Sequence, residues 1–118
     1  MSAETQLYAL LSGAAGVTAL VGTRIYPDLI PEEKDSPYIG YERVATAPIA
    51  TIHGSVPGTD VGMAVACWAE TRVKAEEVAD AVEAAMRAAG HVYRGRGAEI
   101  DAATGRLAAT LDYELLIT

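Results

Sequence analysis

The feature that most constrains this fold is an amphipathic helix predicted over the segment ETRVKAEEVADAVEAAMRAAG, which begins at Glu70. Its apolar side chains recur at helical spacing and form one stripe, made of Ala75, Val78, Ala79, Val82, Met86 and Ala89. The outward positions carry Lys74, Glu76, Glu77, Asp80, Glu83 and Arg87. Thr71 can cap the start of the helix and Gly90 can end it. The alanines in the stripe predict close packing against a sheet.

The last segment of the chain predicts a strand with one buried and one wet face. One face carries Leu107, Ala109, Leu111, Tyr113, Leu115 and Ile117. The other face carries Thr110, Asp112, Glu114 and Thr118. Residues His91 to Asp101 and Arg106 to Thr118 are predicted to form a hairpin, in which Gly105 takes a left-handed turn position.

The rest of the chain completes the predicted order. Ala3 to Leu11 is a short amphipathic helix, and Thr18 is a possible N-cap for one further helical turn that ends at Gly22. Arg24, Ile25 and Tyr26 form a short extended piece closed by Pro27, and strands are predicted at Tyr38 to Thr46 and Val61 to Ala69. This order predicts one α+β domain over residues 1–118: an antiparallel, about four-stranded sheet with two main helices packed on one face.

The strand SPYIGYERVATAP has no plainly wet face. Tyr38 and Val44 share one side, while Ile39, Tyr41 and Ala45 share the other. A domain of this size buries roughly two thirds of the surface of its unfolded chain, so both sides of such a strand are hard to cover within one molecule. We therefore expect a partner to cover part of it, with Tyr38 and Tyr41 at the interface.

The segment APIATIHGSVPGTD, between the two middle strands, sets apolar residues in a turn-like sequence. One interpretation is a long hairpin whose isoleucines pack back on the body. The other is a projecting arm that packs on a neighbouring chain, which makes Ile49, Ile52 and Val56 candidate interface residues.

Charge and hydropathy exclude several classes of protein. Sixteen acidic residues against nine basic residues give a net charge of −7, which disfavours binding to nucleic-acid phosphates. No apolar run approaches the roughly eighteen residues that span a bilayer, and the N-terminal segment lacks signal-peptide features. We therefore expect no membrane association and a location in the cytoplasm where the chain is made.

A search for chemistry finds no nucleophile elbow, phosphate-binding loop, zinc-protease helix or paired cysteine spacing. His53 and His91 lie far apart in turn-like positions, and Cys67 is expected to be a small buried hydrophobe. The sequence thus predicts no catalytic, cofactor-binding or metal-binding residues, and the chain is not expected to be an enzyme.

The stretch YRGRGAE has two interpretations. Arg94 and Arg96 could hold phosphates, or they could lie on one face of a strand and pair with acids of this or an adjacent subunit. The charge balance favours ion pairs, and the candidate partners are the acidic helix residues Glu76, Glu77, Asp80 and Glu83. We expect Arg94 and Arg96 to be intersubunit ion-pair partners.

Four short pieces of the chain, taken in order, carry a family resemblance. They are RIYP at residues 24–27, PYI at 37–39 followed by Tyr41, CW at 67–68 before the alanine-rich helix, and TG at 104–105 before the closing strand. In order and spacing the chain resembles the tail-completion proteins of long-tailed bacteriophages, which include tail-to-head joining and tail-terminator proteins. The loop APIATIHGSVPGTD departs most from that pattern.

The resemblance implies a structural virion protein that assembles as a ring, usually a hexamer, on the head-proximal end of the tail tube. There it would stop tube growth and join the tail to the head connector, with DNA passing through the channel without specific binding. It would act in the host cytoplasm during assembly and in the tail or neck of the mature particle. Two other classes stay open from the residues alone: a small ligand-binding or regulatory domain acting at subunit boundaries, and a nucleic-acid module using Arg94 and Arg96.

Overall fold

The computed structural model describes residues 3–27, 37–48, 59–102 and 105–117. In chain order these residues form α1 (Ala3–Gly13), α2 (Ala15–Val21), β1 (Ile25–Pro27), β2 (Tyr38–Pro48), β3 (Thr59–Ala69), α3 (Arg72–Ala88), β4 (Val92–Ile100) and β5 (Leu107–Ile117). The α+β class predicted from the sequence is confirmed.

The described strands form a five-stranded sheet in the order β1-β2-β3-β5-β4. The β2–β3, β3–β5 and β5–β4 pairs are antiparallel, and β1 is parallel to β2, with Ile25 opposite Ile39. The sheet therefore has one strand more than the four expected. The additional strand is the short extended piece before Pro27, which the sequence identified as extended but did not pair with the sheet.

In the described part of the chain, the core lies between the three helices and one face of the sheet. Leu7 and Leu11 of α1 and Val17 and Val21 of α2 join alternate residues of the central strands in one buried cluster. The strand residues of this cluster are Ile39, Tyr41, Val61, Met63, Val65, Cys67, Ala69, Ala109, Leu111, Tyr113 and Leu115. This confirms helices packed on one face of the sheet, with α2 lying beside α1 and α3.

Helix α3 follows the predicted pattern closely. The Thr71 hydroxyl accepts a hydrogen bond from the Lys74 N–H at 3.2 Å, so Thr71 is the N-cap. The buried residues of α3 are Ala75, Val78, Ala79, Val82 and Met86. Ala89 was expected in the same stripe, but it is the C-cap and is exposed. The chain leaves the helix at Gly90, whose φ of 81° is in the left-handed region that glycine tolerates.

The second helix corrects one predicted cap. Thr18 lies inside α2, which begins at Ala15 with Ala14 at its N-cap. The Thr18 hydroxyl donates to the Ala14 carbonyl at 3.3 Å, a local bond that Thr also forms within helices. The predicted end at Gly22 is confirmed, because this residue has φ 60° and its N–H donates to the Thr18 carbonyl.

The C-terminal hairpin is also confirmed. Strands β4 and β5 pair antiparallel from Val92 opposite Glu114 to Ile100 opposite Leu107, and Gly105 has φ 75°. The pairing shifts register between Tyr93 and Gly95, so β4 contains a bulge at Arg94.

Candidate interaction surface

The sheet face opposite the helices is here called the open face. Along β2, β3 and β5 it presents every second residue, and register pairing aligns these residues in rows across the strands. Among the described residues, the helix side chains that belong to the buried cluster all pack against the other face of the sheet. In the described part of the chain, the open face therefore has no covering layer of helices.

Small residues form the floor of a groove across the open face. Gly40, Ala66 and Thr110 lie in one row on β2, β3 and β5. The row continues to Gly97 on β4, where an added Cβ would lie 2.8 Å from the Thr110 hydroxyl oxygen. The row therefore stays low because its members have short side chains or none.

Carboxylates and one aromatic residue form the sides of this groove, which encloses about 350 Å³. On one side, Glu42 and Asp112 flank Ala64 in the adjacent row. On the other side lie Trp68 and Glu99. Glu42 and Asp112 are two strand spacings apart, or about 10 Å. The groove thus combines a small, low floor with three acidic side chains.

The three groove carboxylates lack a cationic partner in residues 3–27, 37–48, 59–102 and 105–117. Within these described ranges, no ion pair includes Glu42, Glu99 or Asp112. All three residues are exposed. They are therefore hydrated negative charges, available to a basic partner.

The basic residues, by contrast, are engaged within the chain. Of the nine lysines and arginines, eight lie in the described part and only Lys34 lies outside it. The ion pairs join Arg43 to Glu4, Lys74 to Glu77, Arg87 to Glu83, Arg94 to Glu114, Arg96 to three acids of α3, and Arg106 to Glu70. Arg24 and Arg72 donate to the carbonyls of Pro37 and Ala108, each at 2.9 Å.

An aromatic cluster closes one end of the open face. Tyr38 stacks on Trp68 with ring centroids 6.4 Å apart and meets Tyr26 edge-on at 6.2 Å. The Arg106 guanidinium lies 5.5 Å from the centre of the Tyr38 ring, and its Nε donates to Glu70 at 3.1 Å. Tyr38 is only 6% exposed as a result.

Tyr41 lies on the opposite side of the same strand, in the helix-covered core, and is 5% exposed. The alternation predicted for this strand is therefore correct for Tyr38, Ile39 and Tyr41. The inference that these tyrosines need a partner to be covered is not, because their own chain covers both. Their place in a subunit interface stays a prediction. Val44, at the β2 bulge, is an exposed apolar residue of this strand.

Arg94 and Arg96 point to opposite faces of the sheet, although their spacing predicted one shared face. The bulge at Arg94 adds one residue to β4, so Arg94 pairs with Glu114 on the open face while Arg96 reaches α3. Both arginines are paired within the chain, which argues against the phosphate-binding interpretation. Their proposed intersubunit ion pairs remain a prediction.

Arg96 connects β4 to the acidic face of α3. Its guanidinium lies 2.7 Å from Glu76, 3.0 Å from Asp80 and 3.7 Å from Glu83. Burial alone lowers the pKa of this guanidinium, but hydrogen bonds and charges from Asp80 and Glu76 outweigh burial and raise the pKa. The predicted pairing with α3 acids is confirmed for these three, whereas Glu77 pairs with Lys74.

Strand β4 forms one edge of the sheet and carries exposed apolar residues. In the described chain only its β5 side is paired. Val92, Tyr93 and Ile100 are three of the six large hydrophobic residues that are exposed in this part of the molecule. From Gly95 to Ile100 the strand runs without a further register shift. An open, partly apolar edge of this kind is a surface for pairing with another chain.

A smaller depression of about 230 Å³ lies where α3 meets the hairpin and contains His91, Tyr93 and Tyr113. Burial lowers the pKa of His91, and burial together with the Glu83 charge raises the pKa of Tyr113 to about 12.

The Tyr113 hydroxyl and the Trp68 N–H are buried polar atoms without a hydrogen-bond partner in the described structure. Cys67 is fully buried, and burial raises its pKa to about 12, as suits a core residue.

Three predicted interface residues, Ile49, Ile52 and Val56, lie outside the described residues, as does His53. Conversely, the groove has no counterpart among the residues predicted to form sites. Thr110 and Asp112 were assigned to a wet face, but the rows that join them to Gly40 and Glu42 depend on strand register. A usable signal was the alternation of small residues at Gly62, Ala64 and Ala66.

Within the residues that the structure describes, no three His, Cys, Asp or Glu side chains come together as metal ligands. No helix in that same part of the chain has the length and apolar character needed to cross a membrane.

Comparison with known proteins adds to this geometry. The sequence profile of the family described as "Tail completion protein gp17" matches residues 5–117. Curated protein sequences give no match. Among solved structures, a chain from the "Virion of native gene transfer agent (GTA) particle" has a TM-score of 0.78 and 19% identity, covering 94% of this chain and 90% of that chain. At this identity the likeness shows a shared fold.

Proposed function

Because the chain belongs to the tail completion protein gp17 family, we propose that it forms a ring at the head-proximal end of a phage-type tail tube. The family resemblance implies that this ring would be a hexamer. Family membership confirms the resemblance found in the sequence and gives the chain a structural role in such a tail. The finer proposal is that the ring stops tube growth and joins the tail to the head connector. The mechanism requires complementary surfaces and no catalytic turnover.

The β4 edge is the observation that carries the ring proposal. An edge strand with exposed Val92, Tyr93 and Ile100 is a liability for a solitary molecule, since unpaired backbone groups and apolar side chains promote association. Contact between this edge and a different surface of the next copy would be head-to-tail, and head-to-tail contacts close into rings when the rotation permits. The ring would therefore cover what the single chain leaves exposed.

The proposed partners are further copies of the chain, the major tail tube protein and the head–tail connector. DNA would pass through the ring without specific binding, since a net charge of −7 repels phosphates. Assembly would take place in the host cytoplasm and the product would remain in the virion.

Native mass measurement and particle imaging test this proposal. Purified protein, alone and with its tube protein, is expected to give one closed multimer in native mass spectrometry and rings in electron micrographs. Particles made without the protein are expected to show overlong, headless tubes if it terminates the tail, or unattached tails of normal length if it only joins. A protein that stays monomeric at high micromolar concentration, both alone and with the tube protein, would contradict the proposal.

The arm assignment has its own test. We expect Ile49→Asp/Ile52→Asp to fold normally, measured by circular dichroism, but to impair assembly, because charged side chains cannot be buried against a neighbour at low cost. Normal rings and completed tails from this variant would show that the segment does not contribute to the interface.

A further inference from the structure

We propose that the groove on the open face binds a short, extended, basic segment of a different protein in the assembly. The groove has Gly40, Ala66 and Thr110 on its floor and Glu42, Asp112 and Glu99 on its sides. The inference rests on the proposed function, because it assigns this face to a partner in the tail rather than to a copy of the same chain.

The shape of the groove suits a narrow peptide better than a packed helix. Its floor has no side chain larger than threonine, and its volume of about 350 Å³ accommodates only a few residues. Glu42 and Asp112 lie about 10 Å apart across three strands. In an extended peptide, side chains two residues apart point the same way at about 7 Å, so two flexible basic side chains at that spacing reach both carboxylates.

Charge determines the chemistry of the occupant. The three exposed carboxylates have no cation beside them in the described chain. Covering them with a neutral segment would remove their hydration without compensation, which is unfavourable. Lysine or arginine side chains compensate each carboxylate directly, and arginine can do so with two parallel hydrogen bonds. Nucleic acid is excluded as the occupant by like-charge repulsion.

A second copy of this chain is a poor source of these cations. The eight basic residues in the described part are engaged with carboxylates or backbone carbonyls of their own chain. Moving one of the six that are in ion pairs to a neighbour would break an existing ion pair, and moving Arg24 or Arg72 would break a hydrogen bond to a backbone carbonyl. A different protein with an uncommitted basic segment has no such cost, so the structure assigns the groove to a different protein.

The test uses a fluorescent peptide of alternating glycine and lysine as the probe and the full-length protein as the receptor. We expect binding to weaken at least about tenfold, or about 1.4 kcal/mol, in the variant Glu42→Gln/Asp112→Asn. We also expect it to weaken as salt increases from low to high concentration. The matched control is Glu4→Gln/Glu77→Gln, which removes the same charge from exposed ion pairs of α1 and α3 and should bind the peptide as the unmodified protein does. A peptide with glutamine in place of lysine should not bind.

Equal peptide binding by the groove variant and the unmodified protein would overturn this inference, as would equal loss of binding in the control variant. Native mass measurement on the same samples keeps the two proposals separate. Rings with normal mass and normal tail completion from the groove variant would leave the proposed function standing and contradict the groove assignment. Rings that form normally but fail to attach to tube or connector would support the assignment.

Discussion

At the scale of single residues, Arg96 joins the sheet to helix α3 through its guanidinium. Its side chain is 23% exposed and contacts three carboxylates of α3, those of Glu76, Asp80 and Glu83. Several charges around one planar guanidinium form a network, and networks contribute more to stability than isolated surface pairs.

Replacing this guanidinium is predicted to destabilise the protein measurably. We expect Arg96→Lys to lower the free energy of unfolding by about 1–2 kcal/mol, because an ammonium cannot match the planar fork of hydrogen bonds. The control is Arg94→Lys, whose exposed single pair with Glu114 should contribute less than about 1 kcal/mol. Urea denaturation followed by circular dichroism measures both, and equal effects would show that the α3 network adds nothing.

The Tyr113 hydroxyl is a second residue-scale feature, since it is buried without a partner in the described structure. An unsatisfied buried hydroxyl costs about 1–3 kcal/mol, so its removal relieves that cost while the ring stays packed on Tyr93 at 5.7 Å. We therefore expect Tyr113→Phe to leave the free energy of unfolding unchanged or raise it by about 1 kcal/mol. A loss above about 1 kcal/mol in urea denaturation would mean that the hydroxyl has a partner.

Two buried, weakly acidic side chains, the Cys67 thiol and the Tyr113 phenol, predict how the free energy of unfolding depends on pH. Burial raises the pKa of Cys67 from 9.0 to about 12 and that of Tyr113 from 10.0 to about 12. Because the unfolded chain ionises first, both groups favour the folded state fully below their unfolded pKa values and lose that contribution as pH rises toward 12. The urea midpoint should therefore be steady between pH 7 and 8 and fall above pH 9. The variant Cys67→Ala/Tyr113→Phe should show a shallower fall, and an identical fall would contradict this cause.

At the scale of elements, strand β4 is one of the two edge strands of the described sheet, and it is the one that carries several large exposed apolar side chains, Val92, Tyr93 and Ile100. Its bulge at Arg94 interrupts regular pairing near the start of the strand. The uninterrupted stretch toward Ile100 is therefore the part best suited to contact another copy.

Charge on this edge is predicted to prevent ring formation. We expect Ile100→Lys, at a side chain that is 69% exposed, to keep the fold and to shift the native mass toward the monomer. The control is Val73→Lys on α3, where an apolar residue is 78% exposed on a helix without a free strand edge. Rings of normal mass from Ile100→Lys would place the subunit contact elsewhere.

At the scale of the whole molecule, the chain is asymmetric in both packing and charge. Helices cover one face of the sheet, while the opposite face carries the groove and its carboxylates. Six of the eight described basic residues are in ion pairs, whereas the groove carboxylates Glu42, Glu99 and Asp112 have no ion pair in the described chain. Such a molecule is suited to meet copies of itself along a strand edge and a basic protein across the open face, as the proposed ring between tube and connector would require.

Features that depend on neighbouring residues were predictable from the sequence. Helix α3, its Thr71 cap, the alternation of β5 and the turn at Gly105 arise from periodicities and backbone preferences that act within a few residues. The α+β class followed from their order. The family resemblance added a function that no local pattern contained.

Features that depend on register and pairing were decided only by the tertiary structure. The parallel pairing of β1, the covering of Tyr38 by Trp68 and Arg106, and the bulge that sends Arg94 and Arg96 to opposite faces all involve residues distant in the chain. The groove is the clearest case, because its floor and sides come from β2, β3, β4 and β5. Side chains alternate along every strand, but which of them become neighbours across strands is a property of the assembled sheet.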